Sequence, residues 1–184
     1  MIADLERTLL SKDDIARRVA ELGRQISGDL EYAQRASSSE VVIIPILTGA
    51  LIFAADLVRC MPIKLRLRVV AISSYPGKSM ESKGVKLASE IPTDLAGKCV
   101  LVIDDILDSG QTLAVVRELI ERQNPASLRL CTLLRKPESV RKQFVPVEYV
   151  GFDIPDAFVV GYGLDYDGYY RNHPEIATLR PEAL

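Results

Sequence analysis

One stretch constrains this chain more than any other. The apolar run Cys99-Val100-Leu101-Val102-Ile103 ends in Asp104-Asp105, and Asp108-Ser109-Gly110-Gln111-Thr112 follows two residues later. A continuous, largely β-branched run suits a parallel strand buried on both faces. The segment from Leu113 to Gln123 then carries its apolar residues at helical spacing. A strand, an acidic and Ser/Gly-rich turn, and a helix make half of a βαβ unit. Ligands of open α/β sheets bind where strands end in this way. Three carboxylates so close together raise one another's pKa unless a cation or hydroxyl groups lie between them. Backbone N–H groups at the helix start, joined by the Ser109 and Thr112 hydroxyls, form a cradle suited to a phosphate. Helix capping is the plainer role open to Asp108.

The rest of the chain repeats the alternation. Ser11 and Asp14 form a capping-box variant before Ile15, Val19, Leu22 and Ile26, an amphipathic helix. Val41 to Ile44 reads as a second buried strand, Thr48-Gly49 as its turn, and Ala50 to Arg59 as a helix. Ile63, Leu65, Leu67 and Val69 alternate with Lys64, Arg66 and Arg68, which predicts a strand with one wet face. The polar stretch from Ser73 to Gly84 predicts a long loop of the kind that serves as a lid. Leu128 to Leu134, Val147 to Phe152 and Phe158 to Tyr162 predict further strands, the last two separated by Ile154-Pro155-Asp156. The expected fold is α/β with a mainly parallel central sheet flanked by helices, plus a small strand-rich appendage. With 184 residues, one domain is expected.

Composition removes several classes of function. A net charge of -2 gives no global attraction to nucleic acid or anionic membrane, so neither is an expected partner. The N-terminus lacks the pattern of a signal peptide, and no run is long enough to span a bilayer, so a cytoplasmic location is expected. Cys60, Cys99 and Cys131 sit apart in apolar surroundings, without zinc-ligand spacing, and read as buried thiols. His173 is the single histidine, which points the chemistry toward carboxylates. No GxxxxGK[ST] loop is present, which disfavours a nucleoside triphosphatase.

The stretch from Val100 to Thr112 resembles the phosphoribosyl pyrophosphate signature of the type I phosphoribosyltransferases, and the chain as a whole is similar to their 6-oxopurine branch, the hypoxanthine-guanine phosphoribosyltransferases. Four segments agree in order. Leu47-Thr48-Gly49-Ala50 matches the pyrophosphate loop and Ser74-Tyr75 the mobile catalytic loop; the signature follows, and Val150-Gly151-Phe152 through Arg171 matches the purine-binding hood. The resemblance implies a core over about 35–135 and a hood built from about 136–184 with the N-terminal segment.

It also implies roles. The reaction joins purine N9 to C1 of phosphoribosyl pyrophosphate, releasing pyrophosphate, with Mg2+ as cofactor. Asp104 and Asp105 would hold the ribose hydroxyls with the metal, Asp104 standing where the family usually has Glu. Asp108 would be the general acid or base at purine N7, while Ser109, Gly110, Gln111 and Thr112 would surround the 5′-phosphate. Leu47, Thr48 and Gly49 would meet pyrophosphate across a cis Leu47–Thr48 peptide, with Thr48 replacing the family's common Lys or Arg. Lys136 would donate to the purine 6-oxo group, Phe158 would stack on the ring, and Val159 would address the base through its backbone. Asp165 would be a second carboxylate of the base and metal site, Arg171 would bind pyrophosphate, and Ser74 with Tyr75 would close over the reaction. Tyr162, Tyr166, Tyr169 and Tyr170 read as packing. A homodimer or homotetramer is implied. Two alternatives stay open from sequence: a xanthine-guanine preference, and a regulator of the same fold that binds RNA.

Overall fold

The computed structural model describes residues 1–73, 86–87 and 89–183. At its centre is β2 (Val41–Leu47), every residue of which is buried except the last. On one edge it pairs in parallel with β6 (Cys99–Leu107), which pairs with β7 (Ser127–Arg135), which pairs with β8 (Tyr149–Asp153). On the other edge it pairs in parallel with β3 (Arg66–Leu67) and then with β4 (Val70–Ser73), beyond which lies the antiparallel β5 (Lys86–Leu87). The order is β5-β4-β2-β6-β7-β8, so the two strands whose sequences are apolar on both faces take the interior places.

Among the described residues, three α-helices cover the sheet. In α1 (Lys12–Ser37), the Ser11 hydroxyl accepts the Asp14 N–H at 3.2 Å and donates to the Asp14 carboxylate at 2.6 Å, the cap expected from sequence. Its buried stripe of Ile15, Val19, Leu22, Ile26 and Leu30 packs with α2 (Leu51–Arg59) over Ile43, Leu101, Ile103 and Leu133. On the opposite face, α3 (Gln111–Glu121) lays Leu113, Val116 and Ile120 over Val42, Ile44, Val100, Val102 and Leu130. Each such buried side chain contributes about 1.5–3 kcal/mol of transfer free energy. No described helix is long and apolar enough to cross a membrane.

The expected strand from Ile63 to Val69 is broken, and Leu67 and Val69 are exposed. Pro45 accounts for the break. Arg68 donates its N–H to the Ile43 carbonyl at 2.9 Å, and the next β2 residue facing that edge is Pro45, which has no N–H to continue the ladder. Pairing resumes at Ile46 with Val70. Cys60 also departs from expectation: it is half-exposed, while Cys99 and Cys131 are buried.

A second, antiparallel sheet is made of β1 (Leu5–Leu10), β10 (Ile176–Leu179) and β9 (Val159–Val160), in that order. It brings the two ends of the chain together, and Tyr162 fastens it to α2 by donating its hydroxyl to Asp56 at 2.6 Å. The strand β1, with only Leu5, Leu9 and Leu10 apolar, has no clear period-two signal of its own.

Candidate active site

Everything gathers where β2, β6 and β7 end. The β2 turn opens with a cis peptide between Leu47 and Thr48, as the sequence resemblance implied. The turn closes through Ala50 N–H to Ile46 O at 3.3 Å and Leu51 N–H to Thr48 O at 3.1 Å. Gly49 then runs directly beneath the Asp105 carboxylate, and Gly163 of the small sheet's loop lies against the Gly49 carbonyl. A β-carbon at Gly163 would overlap that backbone carbonyl, and one at Gly49 would displace the Asp105 carboxylate.

On β6, Asp104 is 6% exposed and Asp105 is half-buried. The Asp104 carboxylate accepts the Asp105 N–H at 3.1 Å, and that of Asp105 accepts the Ile106 N–H at 2.9 Å. Burial pushes the Asp104 carboxyl well above the ordinary range, and the neighbouring Asp105 charge adds to the effect. Burial also raises Asp105, against opposition from its hydrogen bonds and the Arg171 guanidinium. Thr132, opposite Asp104 in the β6–β7 register, is fully buried, and its hydroxyl lacks a hydrogen-bond partner among the described residues.

Beyond β6 the chain loops into α3 through Asp108, Ser109 and Gly110. Gly110 is the N-cap, with φ of 80°, and a β-carbon there would overlap the Gln143 carbonyl, so this position requires glycine. The Ser109 carbonyl accepts N–H groups from Lys142 and Gln143 at 2.9 and 3.1 Å, tying the loop down from behind. Gln111 N–H reaches Ser109 Oγ at 3.4 Å, and Thr112 follows in the first helical turn. The first-turn N–H groups of α3 thus lie beside two hydroxyls, the arrangement read from sequence as a phosphate cradle. Asp108 does not take the capping role open to it. Its exposed carboxylate accepts from the Lys136 ammonium at 3.4 Å.

Lys136 follows β7, its backbone fixed by its N–H to Leu107 O at 3.0 Å and by the Arg141 guanidinium on its carbonyl at 2.9 and 3.3 Å. Across from it, Phe158 meets Tyr166 edge to face, with centroids 5.5 Å apart, and Val159 begins β9. Asp165 pairs with Arg171 at 2.8 Å and accepts the Gly168 N–H at 2.8 Å, while Arg171 also donates to Gly163 O at 2.7 Å.

A cavity of about 180 Å³ is lined by Asp105, Ile106, Asp108, Lys136, Ala157, Phe158, Val159, Leu164 and Asp165. The structure thus unites Asp105 of β6, Asp108 just beyond that strand, the lysine after β7 and the aromatic just before β9. Leu47, Thr48, Asp104, Ser109, Gly110, Gln111, Thr112 and Arg171 stand around this cavity's neighbourhood without lining it. Ser74 and Tyr75 lie outside the described residues. A larger cavity of about 280 Å³ opens at the other end of β2, between Gln34, Ser38, Lys64 and Arg66. It is remote from the strand ends, and Arg66 there is neutralised by Glu40.

Sequence reasoning missed three supports: Gly163 against Gly49, Tyr162 on Asp56, and Asp156 beside Lys136 at 3.2 Å. The signal for Asp156 was present in Ile154-Pro155-Asp156, read only as a separator between strands. Chemically, the cavity offers an aromatic face, a charged donor at its edge and an exposed carboxylate, above a deeper acidic pair. That arrangement suits a flat heteroaromatic ring joined to a hydroxyl-rich, anionic group.

Residues 7–167 match the phosphoribosyl transferase domain. The chain is 42% identical over 178 residues to a hypoxanthine-guanine phosphoribosyltransferase of Mycobacterium tuberculosis, covering 97% of this chain and 88% of that one. It is 42% identical over 171 residues to a hypoxanthine phosphoribosyltransferase of Escherichia coli, covering 93% of both. Among solved structures, a hypoxanthine phosphoribosyltransferase from Staphylococcus aureus superposes with a TM-score of 0.87 at 40% identity, over 99% of this chain and 95% of that one. The Trypanosoma cruzi hypoxanthine phosphoribosyltransferase in complex with the product IMP superposes with a TM-score of 0.85 at 32% identity, over 98% and 97%.

Proposed function

The chain belongs to the phosphoribosyltransferase family, and on that premise we propose that it salvages 6-oxopurines, transferring the 5-phosphoribosyl group of phosphoribosyl pyrophosphate to N9 of hypoxanthine and guanine. The products are IMP or GMP, with pyrophosphate. The observation that carries this reading is the single cavity in which Asp108, Lys136 and Phe158 converge above Asp105.

In this reading Phe158 stacks on the purine, the Val159 backbone addresses its far edge, and the Lys136 ammonium donates to the 6-oxo group. Adenine presents a donor at that position, so donor would face donor, which disfavours it. Asp108 holds or moves the proton at N7. Asp104 and Asp105 accept the ribose hydroxyls, and their negative charge favours the cationic C1 of the transition state. Ser109, Gly110, Gln111 and Thr112 take the 5′-phosphate, and Leu47, Thr48, Gly49 and Arg171 take the pyrophosphate. Closure over the site falls to Ser74 and Tyr75. Thr48, lacking the charge common at its position, leaves Arg171 as the main cation for pyrophosphate.

The donor set fits Mg2+. Asp104 is a deeply buried carboxylate, and among the described residues it has no Lys or Arg partner and the Thr132 hydroxyl opposite it has no hydrogen-bond partner. No group of three or more candidate ligands occurs among the described residues, and a hard ion held by one or two carboxylates and completed by substrate oxygens needs none. Asp104 and Asp105 would hold it, and Asp165 would serve as a second metal-site carboxylate once pyrophosphate draws Arg171 away. When bound, the ion neutralises charge building on the departing pyrophosphate.

A cytoplasmic enzyme acting as a homodimer or homotetramer belongs to the same proposal, the exposed Leu51, Leu67 and Val69 being apolar surface for a second copy to cover. The test is nucleotide formation from phosphoribosyl pyrophosphate and Mg2+ with hypoxanthine, guanine, xanthine or adenine, followed by absorbance. Product with hypoxanthine or guanine, and none with adenine, is the expected result. No product with any of the four overturns the proposal.

A further inference from the structure

Resting on the 6-oxopurine reading above, we propose that Asp156 is a positioning residue for the purine base: it holds the Lys136 ammonium at the cavity edge so that Asp108 is free to turn to the substrate.

The Lys136 side chain is 12% exposed, and an ammonium so enclosed needs a counter-charge. It has two, one that lines the cavity, Asp108 with its carboxylate 3.4 Å away, and one that does not, Asp156 at 3.2 Å. Were Asp108 the only partner, the lysine donor and the Asp108 acceptor would satisfy each other across the space that the base edge must enter. Binding the base would then mean breaking the one ion pair of a nearly buried cation. With Asp156 as a second partner outside the cavity lining, the ammonium keeps a counter-charge while Asp108 leaves. Three N–H donors are enough to serve Asp156, the base and a passing contact with Asp108.

The segment that carries Asp156 is itself anchored. Ile154 is buried and donates its N–H to the Arg135 carbonyl at 3.0 Å, and the Ala157 N–H closes a tight turn on the Pro155 carbonyl at 2.9 Å. Phe158 lies two residues further on. One short, fixed segment therefore sets both the donor for the base edge and the ring for the base face. The Asp156 side chain is 56% exposed, so its carboxylate is not needed for packing.

The experiment is steady-state kinetics on wild-type enzyme, Asp156→Asn and Asp156→Glu, varying hypoxanthine and phosphoribosyl pyrophosphate separately and recording the melting temperature of each. Asp156→Asn should raise KM for hypoxanthine about tenfold, the scale of losing one charge-assisted contact. Its KM for phosphoribosyl pyrophosphate and its Tm should stay near wild type, and Asp156→Glu should recover much of the loss. An unchanged KM for hypoxanthine in Asp156→Asn, with an active wild type, overturns the Asp156 role alone. A parallel rise in both KM values, unrescued by Glu, overturns it in favour of a structural role for the segment. A wild type inactive with every purine overturns the functional reading and this inference together.

Discussion

The α-carbon of Gly49 lies against the carboxylate of Asp105, so that the methyl group of an alanine would overlap Oδ2. Gly49 lies in the turn after β2 and Asp105 in the last part of β6, and their contact sets how closely that turn approaches the acids of β6. Gly49→Ala must therefore move either the turn or the carboxylate. A displacement of about 1 Å at a reacting centre costs on the order of 100-fold in rate, so kcat/KM should fall by about two orders of magnitude. Steady-state assays with thermal melting check this. A variant within about threefold of wild type would show that the contact is free to relax.

Asp108 faces the cavity, with the Lys136 ammonium as its hydrogen-bonding partner and no helix-capping duty. Asp108→Asn should therefore leave α3 intact while removing a proton carrier. We predict a kcat lower by about 10²–10⁴, the usual worth of a positioned acid or base. Binding of phosphoribosyl pyrophosphate, measured by calorimetry, should change little. An equal loss in kcat and in that binding would mean that the carboxylate serves ground-state binding instead.

Much of this architecture is legible in the sequence because its strongest signals are local. The buried strands announce themselves as apolar runs, the α1 cap as Ser11 with Asp14, and the phosphate loop as acids and glycine between strand and helix. What escapes is set by distant partners. β1 is a strand because β10 pairs with it, 166 or more residues away along the chain by register (Leu10 with Ile176). The gap between β3 and β4 follows from Pro45 on the strand beside them. Asp156 gains meaning only from Lys136, which another strand delivers. Within the candidate site, residue types were readable, while the contacts that orient them come from neighbouring elements.

Cys131 is fully buried in the sheet, and burial pushes its thiol far above the ordinary range, which keeps it protonated and unreactive. Cys99 is equally inaccessible, and Cys60 alone is partly exposed. Native protein treated with a thiol reagent at mildly alkaline pH should label rapidly at Cys60 only, and all 3 cysteines should label in denaturant. Peptide mapping decides the matter. Rapid native labelling of Cys131 would mean that the β7 region opens far more readily than its packing implies.

Two buried tyrosines tie helices to other elements, Tyr149 joining β8 to α1 and Tyr162 joining the turn after β9 to α2. Tyr149 donates to Asp29 at 2.8 Å, and Tyr162 donates to Asp56 at 2.6 Å. Burial and these carboxylates both disfavour the phenolates, so each phenol titrates higher in the fold than in the unfolded chain. The stabilisation is thus complete below the unfolded tyrosine pKa of about 10 and is lost as pH rises beyond it. Denaturant unfolding from about pH 9 to about pH 11 should show stability falling with a slope that flattens in Tyr149→Phe/Tyr162→Phe. At neutral pH each single Phe variant should lose about 1 kcal/mol, the net worth of the hydrogen bond from a buried phenol to a carboxylate at the surface. Equal slopes in wild type and double variant would mean that these phenols already ionise in the folded protein.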